Sequence, residues 1–402
     1  MENNKKNISG LIYVPLGLMV VQIAAIIFVR DYSPMPDFWS KAYVILNYIC
    51  FGLGLLLAKN TLNIRINNNC DFLVKKLDFV RILFACLFVL ISIKAISVIG
   101  VFIVVYGFEG IRDFYYTDGD FAIKAFGGVF WYFMYNQFLY PVSIYMIVEG
   151  LVIGGGTYKK IAVILLLVGV SLGAMVGGRF GIYYIAILLL IVDFVKNNMI
   201  YTKKYGLVGI MVLLLLTYLI KVNRHLVNEQ MGFYEYLISV VDYHIAPIFL
   251  CAHKVSTNFN GFDYNVFPGE VTFNAPFVFF GYITGLSPSD MGYFRLGEYM
   301  RYPTMISEVS GRGVNAFGTV FSGLIVDFDR FAWLASYMMG YLLVFSVRLV
   351  KLQYVIVYLI YIVLGVYFSL FMSFVGSFGF QIIVISHILY GITVPSEKNL
   401  TV

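Results

Sequence analysis

Residues 11–29 read LIYVPLGLMVVQIAAIIFV, nineteen positions without a charge. A bilayer core about 30 Å thick is crossed by about 20 residues of helix. Inside lipid every backbone polar group must be paired within its own segment, so this run reads as a transmembrane helix. Working outward, nine more such runs lie near 41–58, 80–106, 126–149, 161–176, 180–195, 206–221, 330–347, 352–370 and 376–394. Unbroken runs of this length are unlike the short alternating strands of a membrane β-barrel. Lys5 and Lys6 resemble the start of a signal peptide, but the first run ends at Arg30 and Asp31 without a small-x-small site, so it reads as an uncleaved helix.

Composition points the same way. Of 402 residues, 60 % are hydrophobic and 12 % charged, whereas a soluble domain carries about a quarter charged. Disordered, collagen-like and disulfide-scaffold classes are excluded by the same figures. Aromatics at 18 % are enough for interfacial belts and for lining a cavity. The expected fold is therefore an all-α polytopic membrane protein of about ten transmembrane helices, or twelve if the long region after the seventh run hides two more. Residues 1–221 would form an N-terminal bundle of about seven helices, 222–329 a large external region, and 330–402 about three C-terminal helices.

Orientation follows from Lys and Arg in short loops. With the N-terminus inside, fifteen fall on the inner side and five on the outer, namely Arg30, Lys41, Arg112, Lys124 and Arg179. Both termini are then cytoplasmic and 222–329 is external. The net charge of +6 is mostly this inner signature and implies no nucleic-acid partner. Of the four cysteines only Cys251 is external, which leaves no external disulfide, and no Cys/His spacing suggests a metal.

Region 222–329 holds apolar stretches too short to span, IAPIFLCA, APFVFFGYITG and FGTVFSGLIV, punctuated by Gly and Pro. They read as short re-entrant or interfacial helices. Irregular backbone at membrane depth needs protein or a watery cavity over it, so this region should roof a cavity.

Arg179, in VGGRFGIYY between the fifth and sixth runs, is the most informative charge. Gly177 and Gly178 permit a tight turn and close approach of a ligand, and the following helix N-terminus favours an anion. An oxyanion site competes there with a side chain snorkelling to headgroups. The long region adds Arg224, Arg295, Arg301, Arg312 and Arg330 with only Lys221 and Lys254, five arginines to two lysines. Arginine binds phosphate bidentately. Arg312, in GRGVN, has flexible backbone on both sides. His225, His244 and His253 are candidate bases, against structural hydrogen-bonded histidines. Asp327 and Asp329 stand before the eighth run and are read equally as catalytic, with Asp327 a candidate base, or as ion-paired with Arg330 or capping the helix. Lys94, deep in the third run, is expected to face a cavity. No phosphate loop, GxGxxG, HExxH or Ser-His-Asp pattern is present.

Gly178-Arg179, and Asn315-Ala316-Phe317 leading to Val326-Asp327-Phe328, together with the many spans and the large outer region, resemble the Wzy-type polysaccharide polymerases of the bacterial inner membrane. The resemblance implies a GT-C-like fold and transfer of glycan between undecaprenyl-pyrophosphate-linked repeats at the periplasmic face, without nucleotide or other cofactor. It implies metal-independent displacement in which Arg179 and Arg312, with Arg224 or Arg301, hold the pyrophosphate and His253, His244 or Asp327 takes the acceptor proton. Gly178, Asn315 and Lys94 would contact glycan or shape the site. Partners would be the lipid-linked donor and acceptor, membrane lipid and a chain-length regulator protein.

Three other readings compete. An O-antigen ligase shares the arginine logic and differs in acceptor. A flippase of lipid-linked sugar needs polar residues along several spans, whereas charge here, apart from Lys94, gathers at the outer face. A structural anchor needs no glycine-flanked arginines.

Overall fold

In the computed structural model the described residues are 5–62, 65–67, 78–107, 115, 119–175, 180–197, 199–222, 233–258, 269–273, 276–277, 284–285, 305–307, 312–314, 319–371 and 374–393. In chain order the helices are α1 (Tyr13–Phe28), α2 (Phe38–Asn60), α3 (Phe79–Tyr106), α4 (Gly119–Phe126), α5 (Val129–Phe133), α6 (Tyr140–Val152) and α7 (Gly156–Met175). They continue with α8 (Phe180–Asn197), α9 (Ile200–Val222), α10 (Phe233–Asn258), α11 (Val320–Phe328), α12 (Ala332–Phe345), α13 (Val355–Ser369) and α14 (Phe378–Thr393). A π-helical turn, Met134–Leu139, joins α5 to α6. Strands are few and short: β1 (Lys5–Asn7) pairs β3 (Arg65–Asn67), and β4 (Met305–Ser307) lies between β2 (Tyr32–Ser33) and β5 (Arg312–Val314), all antiparallel.

Each apolar run of the sequence contains a helix. Among the described residues five helical stretches are long and apolar enough to cross a membrane, Val320–Leu349 makes a sixth when its two helices are counted as one, and the bent pair Tyr236–Asp242 and His244–Ser256 would make a seventh. Large apolar side chains face outward along them: Val104 is 86 % exposed and Leu207 78 %. Water-soluble surfaces rarely carry such patches, and the chain is a helical membrane protein.

The chain folds into two compact units, Met1–Cys70 with Leu237–Val402, and Asp71–Tyr236. In the first, α2 and α12 run side by side at backbone contact. A Cβ on Gly340 would meet the Phe51 carbonyl, with Leu55 N at 3.3 Å; one on Gly54 would meet the Tyr337 carbonyl, with Tyr341 N at 2.8 Å. Small residues that let backbones touch are the usual basis of helix association in lipid. Ser336 Oγ donates to Asn47 Oδ1 at 3.0 Å beside this crossing. Almost every residue of α13 is buried, as expected of a helix apolar on all sides.

The stretch Val320–Leu349 does not run as one rod. Phe321 stacks on Tyr48 at 4.0 Å and meets Phe51 at 5.5 Å, while Gly340 also packs on Phe51. Nineteen residues of straight helix would separate 321 from 340 by about 28 Å. The chain therefore reverses, and it does so at Asp329, whose φ is +41°. The Tyr43 hydroxyl donates to the Asp329 carbonyl at this turn. The described part of FGTVFSGLIV, from Thr319 on, thus begins a short helix, Val320–Phe328, that folds back on α12.

IAPIFLCA behaves differently. It is the buried middle of the 26-residue α10, not a short helix of its own. Pro247 lies inside that helix, and the axis bends by 50° between Asp242 and His244. A proline has no N–H for the carbonyl four residues back and its ring crowds that carbonyl; four back from 247 is 243, where the bend falls.

In the second unit a buried ion pair joins α3, α6 and α7. Glu149, with no exposed surface, accepts from Arg81 Nε at 2.7 Å and Nη2 at 2.9 Å, and from the Tyr158 hydroxyl at 2.5 Å. Asp78 caps α3 through Arg81 N at 2.9 Å and pairs with the same guanidinium. Bidentate geometry and a third donor are what a buried carboxylate needs to offset its desolvation.

Candidate functional site

Polar groups gather at the end of the first unit where α1 stops and α2 starts. Asp37 caps α2, accepting from Ser40 N at 2.9 Å and Ser40 Oγ at 2.6 Å, and the Ser40 hydroxyl holds this carboxyl below its ordinary pKa. Exposed Phe28, Phe38, Trp39, Phe331 and Trp333 ring the same end, in the manner of an interfacial aromatic belt.

Between α1 and α2, Tyr32 enters β2. Its register partner on β4 is Ser307, and the partner of Ser307 on β5 is Arg312. Tyr32, Ser307 and Arg312 thus form one row across the sheet. The Tyr32 side chain is 1 % exposed, its ring lies 4.5 Å from that of Phe249, and its hydroxyl donates to Asp242 Oδ1 at 2.9 Å. Burial, and then the charge of Asp242, holds the hydroxyl far above its ordinary pKa, so it remains a donor.

Asp242 stands at the bend of α10, two residues before His244. Gln22 Nε2 of α1 donates to the His244 carbonyl at 2.8 Å. His244 Nδ1 lies 2.7 Å from the Val240 carbonyl. A carbonyl only accepts, so Nδ1 carries the proton and Nε2 is the basic nitrogen of the neutral ring. The ring is half-buried and stands edge-on to Phe371 at 5.5 Å.

The other candidates divide. His253, 6 % exposed, and Lys254, 4 % exposed, are deeper in α10 than His244. Asp327, 9 % exposed, accepts from Val271 N at 3.0 Å and Thr272 N at 2.7 Å. This carboxylate clamps the 271–272 turn onto α11, neither the ion pair with Arg330 nor the helix cap read from sequence. Lys94 is exposed, and its chain lies over Gly127: a Cβ there would sit 2.9 Å from Lys94 Cε. Gly127 and Gly128 close α4 by donating to the Lys124 and Ile123 carbonyls at 3.0 and 2.9 Å, the Schellman pattern. The ammonium thus meets the negative end of a helix dipole. Arg312 is described through its backbone in β5. Gly178, Arg179, Arg224, Arg301 and Asn315 lie outside the described residues.

Among the described residues no group of three or more His, Cys, Asp or Glu side chains could hold a metal ion. Tyr32 and Gln22 are the site residues that the sequence did not single out. Gln22 carried a signal, an uncharged polar residue amid an apolar span; Tyr32 carried none. Glu149 was also legible, as a lone acid in an apolar run, and it turns out to be the anchor of the buried ion pair. No family model, no curated protein and no solved structure matches this chain.

Proposed function

We propose that the chain is an inner-membrane glycosyltransferase that polymerises lipid-pyrophosphate-linked oligosaccharide repeats into a surface polysaccharide on the periplasmic side. One observation carries the reading: β5, with Arg312, and the bend of α10, with His244, are linked at one end of the first unit through Tyr32. A cation for a diphosphate and a base for a sugar hydroxyl are the two groups this transfer needs.

In the reaction, His244 Nε2 accepts the proton of the acceptor hydroxyl. The oxygen attacks the anomeric carbon of the donor, and the bond from that carbon to the phosphate oxygen breaks. The electron pair leaves on the lipid pyrophosphate, whose added charge an arginine such as Arg312 stabilises. A single displacement of this kind inverts the anomeric centre. The cation asymmetry of the sequence supports cytoplasmic termini and a periplasmic site.

The test is elongation in proteoliposomes fed a defined lipid-linked repeat. Arg179→Ala and Arg312→Ala are expected to leave single repeats while insertion and folding persist. His244→Gln is expected to lower turnover by about 10²-fold or more. Normal chain length in both arginine variants rejects the pyrophosphate role.

A further inference from the structure

The β2–β4–β5 sheet is very small, with strands of two or three residues, and a sheet of that size is marginal without packing against another element. Tyr32 supplies such packing. It is the first residue of the row Tyr32–Ser307–Arg312, and two strand spacings, about 10 Å, separate it from Arg312. Its ring rests on Phe249 and its hydroxyl reaches back along α10 to Asp242. Phe249 and Asp242 lie seven residues apart, two turns on one face of a helix. One side chain thus touches α10 on both sides of the bend. Gln22 holds the neighbouring His244 carbonyl from α1, so the bend is braced from two elements.

We propose that Tyr32 is a positioning residue: its hydrogen bond to Asp242 ties the sheet that carries Arg312 to the bend that carries His244, and so fixes the distance between the phosphate-holding strand and the base. The inference rests on the function proposed above. Asp242 serves here as a hydrogen-bond acceptor, and its charge is not required. A misplacement of about 1 Å between reacting groups costs about 10²-fold in rate, so a lost tie appears in turnover more than in substrate affinity.

The experiment uses the full chain in nanodiscs as wild type, Tyr32→Phe, Asp242→Ala and Asp242→Asn. Two quantities are read: amide hydrogen exchange of 305–307 and 312–314, and elongation of a lipid-linked repeat. Tyr32→Phe and Asp242→Ala are expected to speed strand exchange at least about tenfold and to lower kcat by about 10- to 100-fold, with KM little changed. Asp242→Asn, whose amide oxygen still accepts, is expected to restore both. Unchanged exchange in Tyr32→Phe overturns the tie, and Asp242→Asn as slow as Asp242→Ala overturns the acceptor role in favour of charge. A wild type that makes no polymer removes the functional reading and the positioning role with it, whatever the exchange pattern. A wild type that polymerises beside a Tyr32→Phe protein of equal kcat removes this inference alone.

Discussion

Replacing Gly340 by alanine tests the packing on which the first unit depends. The new methyl would point at the Phe51 carbonyl, with Phe51 C at 3.2 Å and Leu55 N at 3.3 Å. All three are backbone atoms of α2, so no side-chain rotation relieves the contact and the helices must part. Overpacking of this kind costs about 1–3 kcal/mol. Parting also stretches the Ser336–Asn47 hydrogen bond, now 3.0 Å, and an interhelical bond of this type contributes about 0.6 kcal/mol. The expected loss is about 1.6–3.6 kcal/mol, a factor of about 15 to 400 in the folding equilibrium. The assay is reversible unfolding of purified protein in mixed micelles. Gly209→Ala is the control, because nothing lies within 4 Å of its added Cβ; there alanine is expected to be neutral or stabilising by up to about 1 kcal/mol. A Gly340→Ala protein as stable as Gly209→Ala would refute the close crossing.

Glu149→Ala should cost about 3–5 kcal/mol in the same unfolding assay, because Arg81 loses its buried partner. Replacing Arg81 by Met and Glu149 by Leu together should recover most of that loss, and a double variant no better than the single would show that the pair stabilises beyond its own desolvation. Asp327→Ala should lose about 1–3 kcal/mol by leaving the Val271 and Thr272 N–H groups unpaired, while turnover per folded molecule is kept; selective loss of turnover without loss of stability would return Asp327 to the chemistry.

The helices were legible because an apolar run of span length admits one backbone solution in lipid. FGTVFSGLIV is too short to cross on its own, but nothing in its residues marks the reversal that follows at Asp329. IAPIFLCA misled in part, because Asp242, His244, His253 and Lys254 flank it and make its ends look polar. Those flanks belong to one helix whose polar groups find partners far along the chain: Tyr32 is 210 residues from Asp242, and Gln22 is 222 from His244. No local pattern encodes such pairings. The short strands were equally hidden, since residue pairs such as Tyr32 and Ser307 carry no alternation to read. For Lys94, depth in an apolar run says nothing of the helix end it meets, here the glycine-closed end of α4.

The most direct measurement is to give purified protein in liposomes a defined undecaprenyl-pyrophosphate-linked repeat and count released lipid pyrophosphate against new glycosidic bonds. A ladder of chain lengths with one lipid pyrophosphate released per bond is the expected result. Repeats that stay single, whether they remain in place or cross the bilayer unchanged, would contradict it.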